Sequence, residues 1–240
     1  MQISTKKWID SDPPYTANLQ IHRPMKSLLI IFAKSPNGSN VKTRLKPLLS
    51  KAKRTLLQKA LILDTLSLTQ SLFAKRVLFC APNKNDPFLL QCKKDYKVSL
   101  INQEGDDLGA RMRNAFCWGF SKGFQKIVII GSDSPTLPKS FIQEAFHQLG
   151  SLPIVLGPAL DGGYYLIGMT PPIPNIFSNI SWGSNHVFSE TQKRLSRFYL
   201  LPYWYDVDYP KDMAFLKRHI TLIKKRGADF PIETLLLTSC

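Results

Sequence analysis

Acidic side chains are scarce in this chain: 17 aspartates and glutamates stand against 32 lysines and arginines, a formal charge of +15 over 240 residues with a pI near 9.7. That balance favours polyanionic partners, whether nucleic acid, an anionic membrane surface or phosphorylated substrates, and its sign alone does not choose among them. Cysteine is sparse and unpatterned. Cys80, Cys92, Cys117 and Cys240 show no CxxC spacing and no partnering histidines, which argues against a zinc site or a disulfide framework. No apolar run reaches spanning length and residues 1–24 do not read as a signal peptide, so a reducing cytoplasm is the expected compartment. Walker-type GKS or GKT and internal repeats are also missing. What remains, 44% hydrophobic with 20% charged residues, is the composition of an ordinary globular protein large enough to bury a core.

The most informative stretch is KIVIIGSDSPTLP at 126–138. Four apolar residues, 127–130, make a run too short for a helix and predict a buried parallel strand ending at Gly131. Asp133 follows directly. Ligands of open α/β sheets bind beyond the carboxyl ends of strands, where a carboxylate can hold a metal ion bridging phosphate oxygens. The competing reading makes Asp133 a turn residue or the cap of a helix starting near Pro138.

Residues 1–24, interrupted by Pro13, Pro14 and Pro24, lack periodicity and read as a disordered extension, or as a sign that translation starts at Met25. A first strand at 27–33 runs into a loop carrying Lys34, Gly38, Lys42, Arg44 and Lys46, which either cradles phosphates or is a solvated basic loop. A helix capped by Ser50, a strand at 75–81, a short helix at 88–93 and a strand at 98–101 come next. In the helix after Asp106 or Asp107, Leu108, Met112, Ala115, Phe116 and Gly119 share a face, and Arg111 sits in the first turn, where a phosphate would be welcomed or the side chain simply solvated. A helix at 139–149 precedes strands at 154–156 and 164–167, and Asp161-Gly162-Gly163 between them is either a hairpin turn or a close approach to a ligand. Trp182 reads as core, with a helix at 184–198 capped by Ser184, a strand at 199–205, then Asp206-Val207-Asp208 and a helix opened by Pro210. The last twenty residues, 221–240, form a partly apolar tail.

FAKSPNGSNVKTRL, QEGDDLGARM, GSDSPTLP, GPALDGGYYLIG, ISWGS and YDVDYPKD, in this order, resemble a family of GT-A-like transferases regarded as glycosyltransferases, associated with radical-SAM proteins and with members assigned to arsenosugar biosynthesis. More distantly the pattern is similar to 2-phospho-lactate and molybdenum-cofactor guanylyltransferases. The resemblance spans about 27–220 and implies an α/β fold with one GT-A (nucleotide-diphospho-sugar transferase-like) domain over 25–220, a mostly parallel central sheet and helices on both faces. Two departures stand out: the loop glycine is Gly38 where the family has a Pro-Gly pair one place later, and Trp182-Gly183-Ser184 replaces Trp-Ser-Thr.

The resemblance also implies roles. Asp133 would bind a divalent Mg²⁺ or Mn²⁺ ion together with Asp208, Asp206 being the less favoured ligand. Lys34, Lys42 and Arg44 would hold nucleotide phosphates, with Gly109 and Arg111 near the base or phosphate end. Asp161, Gly162 and Gly163 would face a small acceptor, Asp161 as general base or hydroxyl-orienting group. The expected reaction is sugar transfer from a nucleotide sugar; the alternative is nucleotidyl transfer releasing pyrophosphate from a nucleoside triphosphate, since this fold serves both. A nucleic-acid-binding protein is the third reading, disfavoured because the aromatics lie within apolar strands and helices rather than among basic residues. A homodimer is compatible with all of these.

Overall fold

The computed structural model describes residues 26–37, 40–225 and 234. The expected N-terminal extension at 1–24, the alternative start at Met25, Gly38, and all but Thr234 of the tail beyond 225 lie outside the described residues.

Short apolar runs become the strands of one sheet: β1 Ser27–Lys34, β2 Lys75–Ala81, β3 Ser99–Asn102, β4 Lys126–Gly131, β5 Ile154–Pro158, β6 Tyr164–Met169 and β7 Tyr199–Leu200. Their order is β3-β2-β1-β4-β6-β5-β7. β1 pairs in parallel with β2 and β4, β2 with β3 and β5 with β7, while β6 runs antiparallel to both its neighbours. The sheet is therefore mostly parallel, as the uninterrupted apolar runs imply.

Alternation along the strands sorts side chains to two faces. Leu29 and Ile31 of β1 and Val128 and Ile130 of β4 pack toward α1 (Lys51–Leu68), α2 (Pro87–Asp95) and α4 (Lys139–Gln148). Leu28, Ile30, Ile127 and Ile129 face the other way, against Met112, Ala115 and Phe116 of α3 (Leu108–Ser121). A third cluster joins Leu57 and Leu61 of α1 to Met213, Leu216 and Ile220 of α6 (Pro210–Lys225), around Leu45 and Val207. It fastens α6 against the loop that follows β1.

Ser50 caps α1 by accepting the Lys53 N–H, and Asp107 caps α3 by accepting that of Ala110 at 2.7 Å. Three local expectations change. Leu108 is exposed, and Gly109 replaces it on the buried face of α3. The helix expected at 184–198 is only α5, Val187–Gln192, with no side-chain cap; Ser184 instead accepts the His186 N–H within a turn. Downstream, Arg194 forks onto the carbonyls of Ser178 and Asn179, a tertiary tie just beyond the end of α5. The strand expected at 199–205 pairs only at Tyr199–Leu200, because Pro202 has no N–H to offer the ladder, and resumes as a single bridge from Trp204 to Ala159.

Candidate functional site

The carboxyl ends of β1 and β4 lie side by side, so the loops leaving them meet. Asp133, two residues past β4, caps no helix, since α4 starts without a side-chain cap. Its carbonyl accepts the N–H of Val207 at 2.9 Å, which draws the Asp206-Val207-Asp208 segment to the same spot. Lys42 closes the arrangement. Its ammonium lies 2.8 Å from Asp133 Oδ1, 3.0 Å from Asp208 Oδ1 and 2.8 Å from the Val207 carbonyl, while Arg44 stands 3.5 Å from Asp208 Oδ2.

Lys42 is buried, and its backbone takes the left-handed conformation, φ 44°, unusual for a residue with a side chain. Burial alone would lower its pKa, but Asp133 and Asp208 outweigh that and hold it above the ordinary lysine value, so the ammonium stays charged. Two hydrogen bonds, to Asp208 and the Val207 carbonyl, and an ion pair with Asp133 occupy this ammonium, so the lysine holds two carboxylates in place. Lys34 and Arg44, both exposed, can offer donors to a phosphate. Lys34, Asn40, Thr43, Arg44, Gln58, Asp133 and Asp208 line, with Lys42, an open polar pocket of about 240 Å³.

An adjoining pocket of about 330 Å³ shares Asp208 and adds Asp161, Asp206, Leu160, Tyr205, Tyr209 and Phe215. Asp161 sits in the β5–β6 turn, where its Oδ1 accepts the Gly163 N–H at 2.9 Å, so it is at once a turn residue and part of a pocket wall. Gly162 has φ +90°, and a Cβ there would collide with the backbone of Asn185. Asp206 accepts a hydrogen bond from the Ser134 hydroxyl. Burial first, then the nearby Asp133, Asp161 and Asp208 charges, push its carboxyl up to about 7 against the opposing pull of that hydrogen bond.

Gly109 and Arg111 line neither pocket. Gly109 lets the indole of Trp182 pack directly on α3, and Arg111 donates from Nε to the Gly105 carbonyl at 3.0 Å, bracing the β3–α3 loop. Sequence reasoning missed the groups that hold the β1 loop. Asp86 accepts the Ser35 hydroxyl and the Asn37 amide, and the Gln103 amide donates to the Phe79 carbonyl at 2.8 Å, across the strand ends. Gln103 follows directly on β3 and Asp86 caps α2 ahead of Pro87, the local signals that could have flagged them.

Among the described residues no three histidine, cysteine, aspartate or glutamate side chains converge as a metal cage. Two carboxylates do, and Asp133 Oδ1 is buried with no hydrogen bond directed at it, its contact with Lys42 being ionic. That donor set suits a cation of the Mg²⁺ type, which takes one or two carboxylates from a protein and completes its shell with phosphate and water.

The sheet order and the convergence of loops beyond β1 and β4 define a nucleotide-diphospho-sugar transferase-like fold. A provisionally assigned nucleotide-diphospho-sugar transferase from Desulfovibrio desulfuricans G20 superposes with a TM-score of 0.75 at 32% identity, over 81% of this chain and 88% of that one. A 2-phospho-L-lactate guanylyltransferase from Methanothermobacter thermautotrophicus is 25% identical over 190 residues, 75% of this chain and 80% of its own length. A cytidylyltransferase from Leptospira borgpetersenii shares the fold, with a TM-score of 0.51 at 16% identity over 85% of this chain and 95% of that one. Residues 63–184 match the model of the family described as uncharacterized proteins conserved in bacteria, DUF2064, and the chain belongs to that family.

Proposed function

We propose that the chain is a glycosyltransferase that moves a sugar from a nucleotide-activated donor to a hydroxyl group of a small acceptor. The observation that carries this reading is the contrast between the two pockets that share Asp208. One offers Lys34 and Arg44 to anionic phosphates; the other presents Asp161, Asp206 and Asp212 against the single cation of Lys211, between aromatic walls. An anionic acceptor would be repelled from that second pocket, whereas a neutral hydroxyl is accepted and can lose its proton there.

In this scheme Lys34 and Arg44 bind the donor's phosphates, and Lys42 keeps Asp133 and Asp208 in register. Those two carboxylates would hold a divalent cation, which supplies charge stabilisation for the leaving phosphate. Asp161, exposed at the β5–β6 turn, takes the proton from the acceptor hydroxyl. The oxygen forms a bond to the anomeric carbon as the bond from that carbon to the phosphate oxygen breaks, releasing the nucleotide. The second reading is nucleotidyl transfer from a nucleoside triphosphate, favoured by the likeness to a guanylyltransferase over most of both chains.

The two readings release different products. Phosphorus NMR of the chain incubated with Mg²⁺ and panels of nucleotide sugars and nucleoside triphosphates, each with hydroxylated acceptors, separates them. A nucleoside diphosphate or monophosphate from a nucleotide sugar supports sugar transfer; pyrophosphate from a triphosphate overturns it in favour of nucleotidyl transfer.

A further inference from the structure

The loop between β1 and α1 leads from the polar pocket straight into an apolar groove. Thr43 and Arg44 line the pocket, and a few residues later Leu48 and Leu49 line a groove of about 500 Å³ between α1 and α6. Leu56, Leu57, Pro210 and Met213 complete its walls, and the charged groups on it are both lysines, Lys53 and Lys217. Leu48 is 53% exposed and Leu56 49%, and Leu222, on the outer side of α6, is 58% exposed. Large aliphatic side chains grouped around one groove mark an interaction surface rather than the scattered apolar exposure of any protein.

Charge says what kind of surface. Residues 43–68 and 210–225 contain eleven lysines and arginines against two aspartates, and nine of the eleven are exposed. Neither aspartate is fully exposed among them. Asp64 is buried and accepts the Thr234 N–H, and Asp212 accepts the N–H groups of Asp208 and Tyr209 at the start of α6. Exposed leucines set among an excess of lysines are the combination that lies flat on an anionic bilayer, aliphatic groups at the acyl boundary and ammonium groups among the headgroup phosphates.

We infer that the face formed by the 46–56 segment and α6 is a peripheral docking surface for an anionic phospholipid membrane, with the α1–α6 groove receiving acyl-chain or glycerol-backbone carbon. Docking there sets the donor pocket, which shares the 43–49 loop, close to the membrane plane.

Vesicle co-sedimentation of the full chain tests this, using phosphatidylcholine alone and an equimolar mixture with phosphatidylglycerol. Sedimentation with the anionic vesicles only, weakening as sodium chloride rises, is expected. The double variant Leu48→Glu with Leu56→Glu, at two half-exposed positions, should keep the wild-type melting temperature and lose partitioning by about tenfold or more. Lys93→Glu with Lys94→Glu, on α2, should partition nearly as wild type does. Equal binding to both vesicle types, or unchanged binding by the leucine variant, would overturn the proposal. A dimer seen by light scattering and abolished by the leucine variant, with no vesicle binding, would assign the groove to a second copy of the chain instead.

Discussion

Asp133 and Val207, remote in sequence, are joined by a backbone hydrogen bond of 2.9 Å from the Val207 N–H to the Asp133 carbonyl. The bond holds Asp206 and Asp208, which flank Val207, beside Asp133, and it explains how three aspartates gather beyond the end of β4.

Such a gathering is self-repelling unless something neutralises it, and Lys42 is placed to do so. Lys42→Met should destabilise the fold by about 2 kcal/mol. That is below the range for breaking a fully buried ion pair, because both partner carboxylates are partly exposed to solvent. Urea unfolding checks it, and a wild-type midpoint in Lys42→Met would show that the bridge contributes nothing to stability.

Asp206 gives the fold a pH signature. Its carboxyl is raised from 3.8 to about 7 in the folded protein, so the folded state binds its proton more tightly than the unfolded chain does. The associated stability is present in full below about pH 4 and is lost as pH rises through about 7. In the presence of a chelator, Asp206→Asn should therefore gain melting temperature relative to wild type on going from pH 5 to pH 8. An offset between the two proteins that is constant with pH would contradict the raised carboxyl.

Gly109, expected near the base or phosphate end of a nucleotide, makes room for Trp182. In Gly109→Ala the new methyl group falls inside the space of the indole ring, so the ring must move. A changed tryptophan emission spectrum and a melting temperature lowered by several degrees are expected. A variant with wild-type emission and stability would return Gly109 to a role at a ligand.

The legible parts of this chain were those where local chemistry and tertiary position agree. The run at 127–130 could only be a buried strand, and a carboxylate just beyond it had to lie at the sheet's ligand-binding edge. Asp208 was readable only through the resemblance carried by YDVDYPKD. Illegible were features set by distant contacts. Lys42, expected among phosphate ligands, also lies between two carboxylates from distant segments, a contact no local pattern announces. The helix that periodicity favours ends at Gln192, and Arg194 just beyond it binds carbonyls sixteen and fifteen residues back, while the raised Asp206 carboxyl follows from burial among other acids.

Thermal shift with nucleotides tests the central claim most directly: that Asp133, Asp208 and the β1 loop form a nucleotide-donor site. Wild type and Asp133→Asn are each melted with nucleotide sugars and nucleoside triphosphates, with and without Mg²⁺. Wild type should be stabilised by at least one nucleotide, about 2.7 kcal/mol at a hundredfold excess over Kd, only when Mg²⁺ is present, and Asp133→Asn should lose the shift. No shift with any nucleotide, or an equal shift in both proteins, would contradict it.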